Sequence, residues 1–166
     1  IIAREKGLDL VARGWSPDEI EEAANYLHNP GISVLSIAAA AATTELVHSM
    51  HDPTEGGVVT GLLEIALAGD VGLTIDLDAI LIPQLAQQLC SEFGLDPLGV
   101  IASGALLATA APTDMPVLRQ AWSDLGYPVN VIGRVTAQGE GLVARRGSQI
   151  VPFPSFTVDE ITKLFG

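Results

Sequence analysis

With 166 residues the chain has room for one domain, or one domain with a short appendage, and for burial of roughly 70% of its unfolded surface. Hydrophobic residues make up 48% and charged residues 17%, with 17 Gly and 10 Pro, a composition that excludes disorder, coiled coil and collagen. The formal net charge of −12 and the 5% share of aromatics set the surface against a phosphate backbone and leave few rings to stack on bases. They argue against nucleic acid and anionic membranes as partners.

The longest nearly uncharged stretch, residues 31–44, carries Ser and Thr at intervals and is shorter than the about 20 apolar residues of a membrane span, so no membrane crossing is expected. The lone Cys90 leaves no intrachain disulfide, and no secretory pattern opens the chain, which points to a reducing cytoplasm. The start, Ile1-Ile2-Ala3-Arg4-Glu5-Lys6, lacks an initiator Met and reads as the middle of a helix, so a longer parent chain is expected.

The first clear helix signal is Trp15-Ser16-Pro17-Asp18-Glu19-Ile20. Ser16 suits the N-cap, Pro17 the first helical position and Glu19 the capping box, while Trp15 and Ile20 form a hydrophobic staple. This helix runs to about His28 and is stopped by Asn29-Pro30-Gly31. The Ala-rich run Ser33–Thr43 is again helical. A short strand follows at Leu46–Met50, then turn chemistry from His51 to Gly57, and then a helix on which Val58, Leu62 and Ile65 recur at helical spacing. Gly69-Asp70 ends that helix. Leu73–Leu77 alternates as a strand, and Leu85, Leu89 and Phe93 mark the next amphipathic helix.

Small and apolar residues from Gly104 to Ala111 predict a buried strand. Pro112-Thr113-Asp114 then caps a helix with Leu118, Ala121, Trp122 and Leu125 on one face. Short strands are expected at Val129–Val135, Gly141–Ala144 and Gln149–Val151, and a last helix from a Thr157 cap with Glu160 at the capping-box position. The pattern is an α/β or α+β domain, with one central mixed or antiparallel sheet near Val47, Thr74, Leu107, Ile132 and Val143 and helices packed on it.

The densest chemical signal is His48 to Gly57. Gly56-Gly57 at the opening of a helix lets backbone approach a ligand closely and aims N–H groups at it, where the helix dipole adds partial positive charge. A phosphate fits such a place. Asp52 and Glu55 beside it supply carboxylates for a Mg²⁺ that bridges to the phosphate. The alternative is structural: Asp52 or Thr54 is the N-cap, and the glycines allow the helix to pack closely on the sheet. His51 beside Asp52 is a candidate acid/base pair, or else a hydrogen-bonded loop histidine. His28 and Cys90 do not join His48 and His51 in any zinc-ligand spacing, and Cys90 reads as core. A second candidate is the turn Ile101-Ala102-Ser103-Gly104, which presents amides and the Ser103 hydroxyl. No P-loop, nucleophile elbow or dinucleotide fingerprint is present.

Asn29-Pro30-Gly31-Ile32-Ser33-Val34, Met50-His51-Asp52-Pro53-Thr54-Glu55-Gly56-Gly57, Ser103-Gly104-Ala105-Leu106-Leu107 and Val131-Ile132-Gly133-Arg134-Val135 together resemble the C-terminal domain of the AIR synthase superfamily. The nearest look is to its hydrogenase maturation branch. The resemblance implies an α+β fold over residues 31–166, preceded by a helical segment 1–30. It further implies a parent enzyme whose N-terminal domain, absent from this chain, dimerises and holds most of the Mg-ATP while the C-terminal domain closes the cleft over ATP or a small phosphorylated substrate. No tight ATP binding is then expected of this chain by itself. Asp52, Thr54, Gly56 and Gly57 map to the loop facing that cleft. The hydrogenase maturation branch usually carries Arg where this chain has Glu55, and it ends in Pro-Arg-Ile-Cys where this chain has Lys163-Leu164-Phe165-Gly166. The alternative to an enzyme domain is a non-catalytic binding or dimerisation module that kept the fold.

Overall fold

The structure, a computed structural model, describes residues 1–166. It opens with three helices, α1 (Ile2–Glu5), α2 (Gly7–Ala12) and α3 (Pro17–Asn25). The capping box that starts α3 is formed as its sequence predicts: Glu19 N–H donates to Ser16 Oγ at 3.3 Å, and Ser16 N–H donates to Glu19 Oε2 at 2.9 Å. Trp15 and Ile20 both pack against the same apolar cluster, which is what a staple does. A wide turn, Leu27–Gly31, with a non-helical Asn29, leads to α4 (Leu35–Thr44). The N-terminal part of the chain is thus mainly helical.

Strand β1 (Val47–His51) precedes α5 (Gly57–Gly69), β2 (Gly72–Asp76) and α6 (Gln84–Glu92). Then come β3 (Leu107–Ala110), α7 (Met115–Ser123), β4 (Gly133–Thr136), β5 (Leu142–Arg146) and β6 (Gln149–Val151). The fold is α+β. No helix is long and apolar enough to cross a membrane.

Two of the expected features differ. The strands form two sheets rather than one: β1 pairs only with β3, antiparallel, and the other four are ordered β4-β2-β5-β6, with β2 and β5 parallel and the remaining pairs antiparallel. Alternating apolar residues specify a strand and its buried face, but they do not say which edge it meets. The β3 segment is accordingly less buried than its run of small apolar residues suggests, with only Leu107 enclosed. The stretch before Gly133 also stays outside the ladder, although the Ile132 carbonyl accepts the Asp76 N–H at 2.8 Å.

The C-terminal helix is the second difference. It is a 3₁₀ segment, Glu160–Leu164, capped by Asp159 and not by Thr157. The Asp159 carboxylate takes the Ile161 N–H at 2.8 Å, a charge-assisted cap that sets the start of the turn two residues later than Thr157.

Three apolar clusters hold these elements. The largest joins Val59, Leu62 and Ala66 of α5 to Leu73 and Ile75 of β2 and Ala144 of β5, so one face of α5 covers the larger sheet. A second joins Ile2 and Leu10 to Leu89 and Cys90 of α6 and to Leu164 near the end of the chain. The third packs α4 on α7 through Ile37, Ala41, Leu118 and Trp122.

Candidate functional site

Three segments far apart in sequence meet at the start of α5. The loop from Asp52 to Gly56 is anchored by Pro53, which is fully buried. It folds over the first turns of α5 so closely that a Cβ at Gly61 would come within 2.7 Å of Pro53 Cβ. The Thr54 carbonyl then accepts two N–H groups, from Gly57 and from Ala102, each at 3.1 Å. The second of these bonds fastens the loop to the turn Ala102–Ala105, which Ala105 N–H closes onto the Ala102 carbonyl at 3.0 Å. Gly104 in this turn has φ +99, and a Cβ there would lie 2.8 Å from the Gly31 carbonyl oxygen. The conformation and the close approach both require glycine. Residues 29–33, 51–57 and 101–105 therefore form one corner.

Three amides at the helix start, those of Gly56, Gly57 and Val59, are bonded within the chain. Gly56 N–H donates to Asp159 Oδ2 at 2.7 Å, and Val59 N–H donates to the Leu98 carbonyl at 3.2 Å. Neither Asp52 nor Thr54 caps α5 with its side chain: the N-cap is Gly56, left-handed at φ 77. Gly57, at φ +69, is pressed against the 98–100 backbone, where a Cβ would lie 2.5 Å from the Leu98 oxygen and 2.7 Å from the Val100 oxygen. The glycine pair thus lets the helix start lie flat on a loop of the same chain, and the carboxylate of Asp159 fills the position at Gly56 where an external anion was expected. Asp52, Thr54, Glu55 and Ser103 are exposed around this corner.

His51 is not paired with Asp52. Its Nε2 lies 2.6 Å from Glu64 Oε2 on α5, because the end of β1 runs beside the second turn of that helix. No group of three or more His, Cys, Asp or Glu side chains is arranged to hold a metal ion. Asp52 therefore has one carboxylate to offer, a complement that suits a Mg²⁺ held mainly by phosphate oxygens and water.

Sequence reasoning missed Asp159 and placed Glu160 in a capping box with Thr157 that does not form, because Asp159 caps the turn. Asp159 bonds Gly56, Ile101 and Ile161 through their backbone N–H groups. Glu160 is buried, and its Oε2 accepts the Asp96 N–H at 3.1 Å. The Lys163 ammonium lies 2.6 Å from the Glu160 carboxylate and, with the Asp96 bond, holds its carboxyl below the usual range against the opposing effect of burial. The available signal was an acidic residue two before Ile161, the spacing of an Asx turn. An open cleft of about 750 Å³ lies behind this segment, with Asp96, Arg146, Phe156, Glu160 and Lys163 on its walls. Its two cations are already matched, Arg146 to Asp78 at 3.3 Å and Lys163 to Glu160.

Cys90 is buried beside Leu89. Burial, with the Asp96 and Glu160 charges adding to it, pushes its thiol up to about 11. It takes no part in the corner.

Comparison with known proteins shows the family and the fold of the chain. Residues 5–145 match the family model described as AIR synthase related protein, C-terminal domain. Carbamoyl dehydratase HypE of Cupriavidus necator is 35% identical over 147 residues, which is 86% of this chain and 40% of that protein. The crystal structure of E. coli HypE, a hydrogenase maturation protein, superposes with a TM-score of 0.65 at 21% identity, covering 75% of this chain and 41% of that one. A structure of hydrogenase maturation protein HypE in complex with ATP gives 0.58 at 20% identity, covering 87% and 41%. The chain thus spans about two fifths of the length of each of these three proteins.

Proposed function

Because the chain belongs to the AIR synthase related protein family, as its C-terminal domain, we propose that it closes the nucleotide cleft of a larger ATP-dependent enzyme. The observation that carries this reading is the convergence of residues 29–33, 51–57 and 101–105 on one corner with Asp52, Thr54, Glu55 and Ser103 left exposed around it. A carboxylate, a hydroxyl, a second carboxylate and a second hydroxyl beside a rigid helix start form a polar wall for a phosphorylated ligand. Support comes also from the HypE structure in complex with ATP, which shares the fold.

In this reading Asp52, with Glu55 beside it, contributes to a Mg²⁺ that neutralises phosphate charge, and a second domain supplies the remaining nucleotide contacts in a homodimeric, cytoplasmic protein. Gly56, Gly57 and Gly104 give the corner its shape, and His51, oriented by Glu64, is its proton carrier. The substrate is a small phosphorylated molecule or ATP itself.

One observation favours a second reading, a non-catalytic module that kept the fold: Gly56 and Gly57 are both accounted for by contacts within the chain. Asp52→Asn in the full-length protein separates the two. It keeps shape and removes a charge from an exposed side chain, so stability stays within about 0.5 kcal/mol while ATP turnover falls at least tenfold if the wall binds Mg-phosphate. Turnover equal to wild type in Asp52→Asn removes this corner from the active site and leaves the module.

A further inference from the structure

The Asp159 carboxylate gathers three backbone amides from three places in the chain. Oδ2 accepts Gly56 N–H at 2.7 Å, and Oδ1 accepts Ile101 N–H at 3.2 Å and Ile161 N–H at 2.8 Å. Gly56 is 103 positions away in sequence and Ile101 is 58. The first ends the Asp52–Gly56 loop and the second opens the Ile101–Gly104 turn, so one side chain spans the two segments that bear Asp52, Thr54, Glu55 and Ser103.

Asp159 is itself held from behind. Leu164 is buried with Ile2, Leu10 and Leu89, the Glu160 carboxylate bonds the Asp96 N–H, and Glu160 N–H donates to the Gly99 carbonyl at 3.0 Å. The carboxylate is presented from a turn fixed at both ends.

We propose that Asp159 is a positioning residue: its carboxylate clasps the Gly56 and Ile101 amides and so sets the distance between the Asp52–Gly57 loop and the Ile101–Gly104 turn. The catalytic part of this proposal rests on the reading of the corner given above. Both oxygens are needed. An asparagine has one acceptor oxygen and would aim its NH₂ at a backbone N–H, so in either orientation it loses the Gly56 bond or the Ile101 and Ile161 bonds.

The test uses the full-length protein carrying Asp159→Asn, with Asp52→Asn and Leu118→Ala as controls, the latter destabilising the α4–α7 pair outside the corner. Amide hydrogen exchange is read at Gly56 and Ile101, with Leu73 and Ile75 in the sheet as internal references, and ATP turnover is read well below every thermal midpoint. The expected result is about tenfold faster exchange at Gly56 or Ile101 in Asp159→Asn, as loss of a charge-assisted bond implies. Leu73 and Ile75 stay unchanged, and kcat falls about tenfold while Leu118→Ala retains wild-type kcat.

Unchanged protection at both amides overturns the clasp. Faster exchange with kcat equal to that of Leu118→Ala overturns the positioning role. If Asp52→Asn keeps full turnover, the reading of the corner has failed, and the clasp is then decided on the exchange data alone. Should Asp159→Asn not accumulate as folded protein, Asp159→Glu, which keeps both oxygens but displaces them by a methylene, is judged by the same two measurements.

Discussion

The Thr54 carbonyl and the Ala102 N–H are 3.1 Å apart, and this single bond joins two sequence motifs that lie nearly fifty residues from each other. It runs from a loop at the end of β1 to a turn before β3. Since β1 and β3 pair side by side, with His51 opposite Leu107, the loop and the turn emerge at the same end of a two-stranded sheet. Pairing of the strands brings the loops together, and the Thr54 carbonyl bonds them directly, alongside the Asp159 carboxylate that holds Gly56 and Ile101.

Gly57 tests whether the helix start is shaped by its own chain. A valine there meets the Leu98 and Val100 carbonyl oxygens and the Gly99 backbone, at a φ of +69, so both sterics and backbone strain oppose it. Gly57→Val is expected to destabilise the protein by about 3 kcal/mol or more, seen as a lowered thermal midpoint. A midpoint equal to wild type would mean the glycine is open to solvent or ligand.

Glu160 gives the fold an acid-sensitive point. Its carboxyl is held below the usual range, first by the Lys163 ammonium and also by the Asp96 N–H. The ionised form is therefore favoured in the folded state. Its contribution is fully present above the unfolded carboxylate value of about 4.3 and is lost as pH falls through the lower, folded value. Glu160→Gln should lower stability at pH 7 by about 1 to 3 kcal/mol, and the gap to wild type should narrow as pH falls from about 5 towards 3. Parallel denaturation curves across that range would rule out the linkage.

Cys90 should be inert in the folded protein. With the thiol buried and pushed up to about 11, almost no thiolate exists at pH 8. A chromogenic disulfide reagent should therefore label it only as the cluster it shares with Leu10, Leu89 and Leu164 opens, and added urea should accelerate the labelling. Immediate reaction under native conditions would show that α6 is not packed as described.

Trp122 ties α7 to α4 by two means, its buried ring and the Nε1–H that donates to the Ile37 carbonyl at 2.9 Å. Trp122→Phe keeps part of the ring but removes the indole donor and some buried area, at a cost of about 1 to 2 kcal/mol. Leu118→Ala removes a fully buried side chain and should cost about 2 to 5 kcal/mol. Both are read by urea titration, and a Trp122→Phe variant as stable as wild type would place the indole nitrogen in water.

The helices were legible because apolar residues recur at helical spacing over nine or more residues, with no side-chain cap needed to mark them: α5 spans Gly57–Gly69, α6 spans Gln84–Glu92 and α7 spans Met115–Ser123, all close to the segments that spacing predicts. Strand existence at Val47, Leu73 and Leu142 was equally plain, since period-two alternation is local. The division into two sheets was not, because pairing is decided by contacts between distant segments. The corner shows the same limit. The Asp52–Gly57 and Ile101–Gly104 motifs were visible one at a time, whereas their union depends on the Thr54 carbonyl. The group that satisfies Gly56 is Asp159, a residue that local pattern assigned to the interior of a helix begun by Thr157. His51 met Glu64 and not its neighbour Asp52 because a strand end and a helix face, not adjacency in sequence, decide which side chains touch.

The separation of the apolar residues into three clusters carries over into how the molecule opens. Ile37, Ala41, Leu118 and Trp122 form a core whose buried members come from α4 and α7, with Val47 of β1 and Ala110 of β3 packed against it, and the helices of the first thirty residues share theirs with α6 and the C-terminal turn. Proteins open locally in cooperative units, or foldons, that often follow such packed substructures, with free energies up to that of global unfolding. An excursion of the two chain ends together is then expected to leave the four-stranded sheet and α5 intact, since the cluster of α5 with that sheet has no buried members from the chain ends. The corner straddles the boundary between the sheet foldon, which carries Gly56, and the terminal foldon, which carries Asp159. Opening of the chain ends alone is enough to withdraw the Asp159 carboxylate from it, with the Thr54–Ala102 bond left in place.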